Sequence, residues 1–200
     1  MFVGHEFLAF ALVGWGAYRF GRASETTREE TREETARAAL VLGGIAALAA
    51  LLPDLDVLYA AATYALAVAG GTTPLGWEAF WGVANGVHRV VTHPLPVGAV
   101  ATLVFGAGVA VVRRWSPAAS RSGTRTQAWL RVGFVGLLAL ASAATLLSAF
   151  RTVVSPQAAL VAGAFLGCVA VVGALVGRRT DLSAPAVTLA AGVGFLTHPF

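Results

Sequence analysis

The chain has 200 residues, 57% of them hydrophobic and 12% charged, with a mean hydropathy of +0.74. Soluble domains carry about 25% charged residues, so this composition excludes an ordinary water-soluble domain, or one held to a membrane by a single anchor. The net charge of +4 rests on arginine without any lysine; in so apolar a chain that excess orients membrane segments, and no nucleic-acid partner is expected.

Apolar segments lie at 5–20, 38–52, 57–70, 95–112, 132–150, 158–177 and 186–198, several of them near the ~20 residues that cross a bilayer. Gly4-His5-Glu6 puts polar groups ahead of the first, with no basic stretch before it, which argues against a cleavable signal peptide. Residues 75–92 are less apolar and hold Trp77, Trp81 and Asn85; they read as an eighth span or as a helix lying at the interface, where Trp is enriched. Cys168 is alone and sits in an apolar run, where packing is its expected role. The expected fold class is all-α: a polytopic membrane helical bundle of about seven or eight spans, forming one membrane-embedded domain over 1–200.

Three polar segments separate the spans. Residues 21–37 repeat Thr-Arg-Glu-Glu and space Glu33 four residues before Arg37, the pattern of an exposed helical linker. Residues 113–131 are rich in Ser and Arg and read as a loop; the third segment is the short GRRTDLSAP. Twelve of the fourteen arginines flank or lie in these segments, leaving Arg89 and Arg151 elsewhere. The positive-inside tendency places all three in the cytoplasm of a multi-pass cytoplasmic-membrane protein. Following the spans from there brings His5, Asp54, Asp56, His93 and His198 to one level, on the extracytoplasmic side.

Ionisable groups in or near spans are costly, and their default reading is functional. His and carboxylates gathered at one level are the donors of metal sites. In HRVVTHP, residues 88–94, a continuous α-helix would set His88 and His93 about 140° apart. Pro94 disfavours the helical conformation for His93, so the helix should end near Val91 or Thr92 and the chain bend, which can bring the two together. Arg89 suits a phosphate or carboxylate oxygen, or equally a lipid headgroup. For Asp54 and Asp56, Pro53 and a helix start would account for one as a cap; in an extended or turned segment both share a side and can grip a cation. Glu6, beside His5, is a candidate base. Thr-His-Pro recurs at 92–94 and 197–199.

GHEFLAF at the start, LLPDLD after the second span, HRVVTHPL in mid-chain and FLTHPF at the end follow one another as in a known family. They resemble the YdjM-like inner-membrane proteins, described as metal-dependent hydrolases. The resemblance implies His5, Asp54, Asp56, His88, Arg89, His93 and His198 as one polar cluster, the His and Asp residues as metal ligands and Arg89 as a catalytic group; Glu6 joins as a catalytic candidate only from its place beside His5. It also implies one or two divalent ions, zinc first, and phosphoester chemistry. The chain departs from the family pattern at Val57, Val90 and Pro94, where members carry His, Gly and Ser; the family's Asp four residues after the final His would fall beyond Phe200, where the sequence ends, so it is either cut off there or absent from the site.

The expected function is a membrane-embedded metal-dependent hydrolase acting on a lipid-like or other phosphoester at the outer membrane face, with membrane lipid as its partner. An ion or metal transporter using the same cluster, or a non-catalytic membrane scaffold, are the alternatives.

Overall fold

The computed structural model describes residues 4–24, 29–114 and 125–197, the side chains of 22–24, 29–31, 86–89, 125–129 and 131 excepted. Among the described residues the protein is all-helical, without strands. The helices are α1 (Gly4–Ser24), α2 (Glu29–Leu51), α3 (Asp56–Ala69), α4 (Trp77–Val87), α5 (Leu95–Arg114), α6 (Arg125–Ala149), α7 (Pro156–Arg179) and α8 (Ala184–Thr197). A 3₁₀ turn, Leu52–Leu55, joins α2 to α3, and π turns at His88–Thr92 and Phe150–Val154 extend α4 and α6.

Each break has a local cause. Pro53 opens the 3₁₀ turn, where its missing N–H costs nothing. Pro94 follows the first π turn, and the chain bends at His93 and Pro94 as the sequence predicts. Ser155 turns to extended backbone, and its hydroxyl accepts from the Ala158 N–H at 3.0 Å, capping α7 ahead of Pro156. The helical linker expected over 21–37 is, from Glu29 onward, the first turns of α2. The loop expected over 113–131 is helical at both ends, because α5 runs through Arg114 and α6 starts at Arg125.

Helix directions follow from close approaches. Gly43 lies against Phe10 and Gly21 against Thr35, so α1 and α2 are antiparallel. Gly98 meets Phe195 and Gly106 meets Thr188, making α5 and α8 antiparallel; Gly173 meets Phe105 and Gly177 meets Val109, making α5 and α7 parallel. Gly194 seats the C-terminal end of α8 on Ala46, Ala49 and Ala50 of α2, while Pro96 of α5 shares a surface hollow with Ala149 of α6. One end of the bundle therefore holds the starts of α1, α5 and α7 and the ends of α2, α6 and α8. The other end carries Arg19, Arg32, Arg37, Arg113, Arg114, Arg178 and Arg179. There Arg113 donates to the Gly177 and Thr180 carbonyls at 3.4 and 3.1 Å, so a cation sits at the negative end of α7.

Among the described residues four stretches are long and apolar enough to cross a membrane: Arg32–Ala69, Leu95–Arg114, Val132–Val154 and Pro156–Arg179. The first, at 38 residues, would extend about 57 Å as a single helix, but the 3₁₀ turn Leu52–Leu55 divides it into α2 and α3. Large side chains such as Phe134, Leu137 and Leu140 stand exposed along α6. A contiguous apolar exterior of this kind belongs in lipid, and the chain is a helical membrane protein. Helices α3 and α4 pack against each other as a hairpin and touch the bundle mainly near their base. Tyr64, Trp77, Phe80 and Trp81 interlock in that hairpin, with ring centroids 5.3 to 5.8 Å apart.

The buried core runs along α5, α7 and α8, around Phe105, Phe165, Val169 and Phe195. A Cβ on Gly173 would overlap the Phe105 carbonyl, and one on Gly194 the Ala46 carbonyl. Backbone that close leaves no room for a methyl group. Gly173→Ala and Gly194→Ala should each destabilise the protein by about 1–3 kcal/mol. Gly136→Ala, which meets nothing within 4 Å, should be neutral; thermal unfolding in one detergent compares the three.

Candidate functional site

The polar residues gather where helix geometry fails, at the end of the bundle opposite the arginines. Asp54 lies in the 3₁₀ turn and Asp56 opens α3, and both are buried. The N-cap positions belong to Leu51 and Leu55. The segment is helical rather than extended, so the two carboxylates do not share a side through an extended backbone. Each instead meets one of two consecutive residues, Thr92 and His93, at the exit of the π turn.

The contacts interlock. The Thr92 hydroxyl donates to Asp56 Oδ2 and stands 3.1 Å from His93 Nδ1. His93 Nε2 faces Asp54 Oδ1 at 3.9 Å. A hydroxyl has one hydrogen, and here it goes to the carboxylate, so the contact with His93 requires Nδ1–H to donate to the Thr92 oxygen. In a neutral imidazole that assigns the lone pair to Nε2, the nitrogen turned towards Asp54. At 3.9 Å the two atoms are beyond hydrogen-bond distance: a protonated imidazole attracts the carboxylate across this gap, and with a neutral imidazole a cation between them would do so. Two ligands about 2.0–2.1 Å from a tetrahedral ion stand about 3.3–3.4 Å from each other. The observed pair is within about half an ångström of that spacing. Threonine as the partner of the other ring nitrogen is the arrangement that fixes a ligating histidine's tautomer.

Glu6, in the first turn of α1, is at the same end. Both of its carboxylate oxygens are buried with no hydrogen-bond partner among the described residues. His5 beside it is half-buried. Among the described residues no three His, Cys, Asp or Glu side chains come within reach of one ion. The structure thus joins Asp54, Asp56 and His93 in one network, and does not draw His5 and Glu6 into a common ligand group with them. The backbone of His88 and Arg89 begins the π turn; their side chains, and His198 entirely, lie outside the described residues. An i→i+5 turn is wider than an α turn, so positions 88 and 93 fall closer to one register than the 140° of an α-helix. Thr92 was not among the expected site residues, although the Thr-His-Pro echo marked it.

Beside the Asp56–Thr92 pair opens a hollow of about 150 Å³ between the base of the hairpin and α7. It is lined almost wholly by apolar side chains, among them Leu52, Leu55, Phe165 and Cys168.

Comparison with family models, curated proteins and solved structures found no match. The site's chemistry therefore rests on its own geometry.

Thr92→Val removes the hydroxyl between two buried polar partners at nearly unchanged volume. It should lower stability by about 1–3 kcal/mol, while Thr92→Ser recovers most of the loss. Thermal unfolding in detergent reads both.

Proposed function

We propose that the protein is a membrane-embedded metal-dependent hydrolase acting on a lipid-like phosphoester at the end of the bundle opposite the arginines. The observation that carries this reading is the His93–Asp54 pair: an imidazole held by Thr92 so that its lone pair faces a carboxylate across a cation-sized gap. The motif resemblance to the YdjM-like family points the same way, and adds His88 and His198, whose side chains lie outside the described residues, as donors that would complete the set. Zinc suits a site of imidazole and carboxylate donors, as one ion or two.

When bound, a divalent ion lowers the pKa of its water towards about 7 and polarises the ester. The chain's own groups do the rest. His93 and Asp54 supply donors, and Thr92 holds the imidazole's tautomer while anchoring Asp56. Glu6, with two buried carboxylate oxygens aligned with no other described group, is the candidate general base. Arg89 would pair with the anionic oxygens of the substrate.

For the topology we propose six crossings, α1, α2 and α5 to α8, with the α3–α4 hairpin held at the membrane interface by its Trp and Tyr side chains. At 14 and 11 residues α3 and α4 are short for a bilayer, and unlike α8, equally 14 residues long but packed along α2 and α5, they touch the bundle mainly near their base. The arginine-bearing ends would face the cytoplasm and the Asp/His network the opposite side.

Metal analysis of the protein purified gently in detergent tests the proposal. Stoichiometric zinc is expected in the wild type and its loss in His93→Ala and Asp54→Asn. Thr92→Val should weaken zinc binding about 10–100-fold, as loss of a ligand's supporting partner does. A wild type that takes up no stoichiometric divalent metal when it is supplied overturns the reading. Hydrolysis of phosphatidylglycerol, measured with the same variants, separates an enzyme from a protein that only carries the ion.

A further inference from the structure

We infer that the apolar hollow beside Asp56 and Thr92 is a seat for one acyl chain of a membrane phospholipid whose headgroup lies at the Asp54–His93 pair. The inference rests on the hydrolase reading for what happens to the headgroup, but not for the seat itself. Three observations carry it. The hollow is walled by apolar groups from both sides, Leu55 and Tyr59 from the hairpin base and Val161, Ala164, Phe165 and Cys168 from α7. Its polar border is Asp56 and Thr92, the residues that fix His93. Its exposed lining residues are Leu55 and Tyr59 at the hairpin base and the small Ala164 and Cys168, one turn apart on α7, a helix whose Leu160 and Val171 also face outward.

These features select the occupant. A water-soluble phosphoester has no group to fill an apolar recess, and removing water from such a wall favours hydrocarbon. A lipid needs no passage through water, because part of the exposed lining, Ala164 and Cys168, belongs to the outer face of α7, which lipid would cover. The size sets the extent. An apolar cavity of about 150 Å³ stays dry and holds a six-carbon ring, so this hollow takes roughly six carbons of one chain while the remainder runs along α7. A chain anchored there restrains the glycerol end of the lipid beside the network, which is how remote binding energy positions a reacting bond.

The test uses the full chain in phosphatidylglycerol nanodiscs, doped with phosphatidylglycerol carrying a diazirine on one acyl chain. After photolysis, adducts are mapped by peptide mass spectrometry. They should concentrate on 161–168 and 55–59, above the level on Leu137 and Leu140, which are equally exposed on α6. Ala164→Phe and Cys168→Trp fill the hollow from exposed positions that tolerate bulk. Each should cut the adducts there about fourfold per methylene group excluded, leaving α6 unchanged. Adducts spread evenly over α6 and α7, meaning annular lipid contact only, overturn the inference, and so do fillers that change nothing. Asp54→Asn should keep the adducts. Concentrated adducts in a protein without metal or hydrolysis leave the seat standing and remove the hydrolase reading; metal and hydrolysis with evenly spread adducts do the reverse.

Discussion

In a bilayer the backbone must satisfy its own hydrogen bonds, and this requirement governs everything else in the molecule. It makes each crossing a helix and drives polar side chains away from the middle of the spans. It also limits where a helix can break. Among the described residues the chain leaves α geometry at the 3₁₀ turn Leu52–Leu55, at the two π turns and the bends that follow them, and in the connections 70–76 and 180–183. The 3₁₀ turn and the first π turn supply Asp54, Thr92 and His93, with Asp56 one residue beyond. The polar network is thus built from the two irregular segments that meet at one end of the bundle, and the regular helices serve to hold those segments in place.

Holding them depends on contacts with no side chain between backbones. Gly98 and Gly194 draw α8 against α5 and α2, and Gly173 draws α7 against α5. Lipid offers no hydrophobic incentive for helices to associate, so close packing must supply it. Because α5 begins directly after His93 and α2 ends directly before the 3₁₀ turn, the packing of α8 on both fixes the distance across the network. The same packing leaves α7 facing the hairpin base and so creates the apolar hollow. Site and hollow are two outcomes of one arrangement of α2, α5, α7 and α8.

Much of this was legible in the residues. The all-helical character followed from composition, the bend at His93 from Pro94, and the shared level of His5, Asp54, Asp56 and His93 from the distribution of arginine. Parity explains the last point, since helices that start at one end must finish at the other. Other points were not legible. The expectation that Asp54 and Asp56 would share a side assumed an extended chain, whereas Pro53 begins a 3₁₀ turn and sends each carboxylate to its own partner. Thr92 passed as a mere neighbour of His93, because its partner lies 36 residues away and local spacing carries no trace of it. The number of spans was not legible either, because apolar runs alone do not tell a crossing from a hairpin such as α3 and α4, which pack on each other and touch the bundle mainly near their base.

By itself, then, the sequence determined a helical membrane protein, places where its helices break, and the end of the bundle at which His5, Asp54, Asp56 and His93 stand. These follow from hydropathy, proline and charge, which act locally. Only the tertiary structure decided that Thr92 ties Asp56 to His93, that Nε2 is turned towards Asp54, and that an apolar recess borders the network. Those facts depend on the register of α2, α5, α7 and α8, set by backbone contacts between residues far apart in the chain.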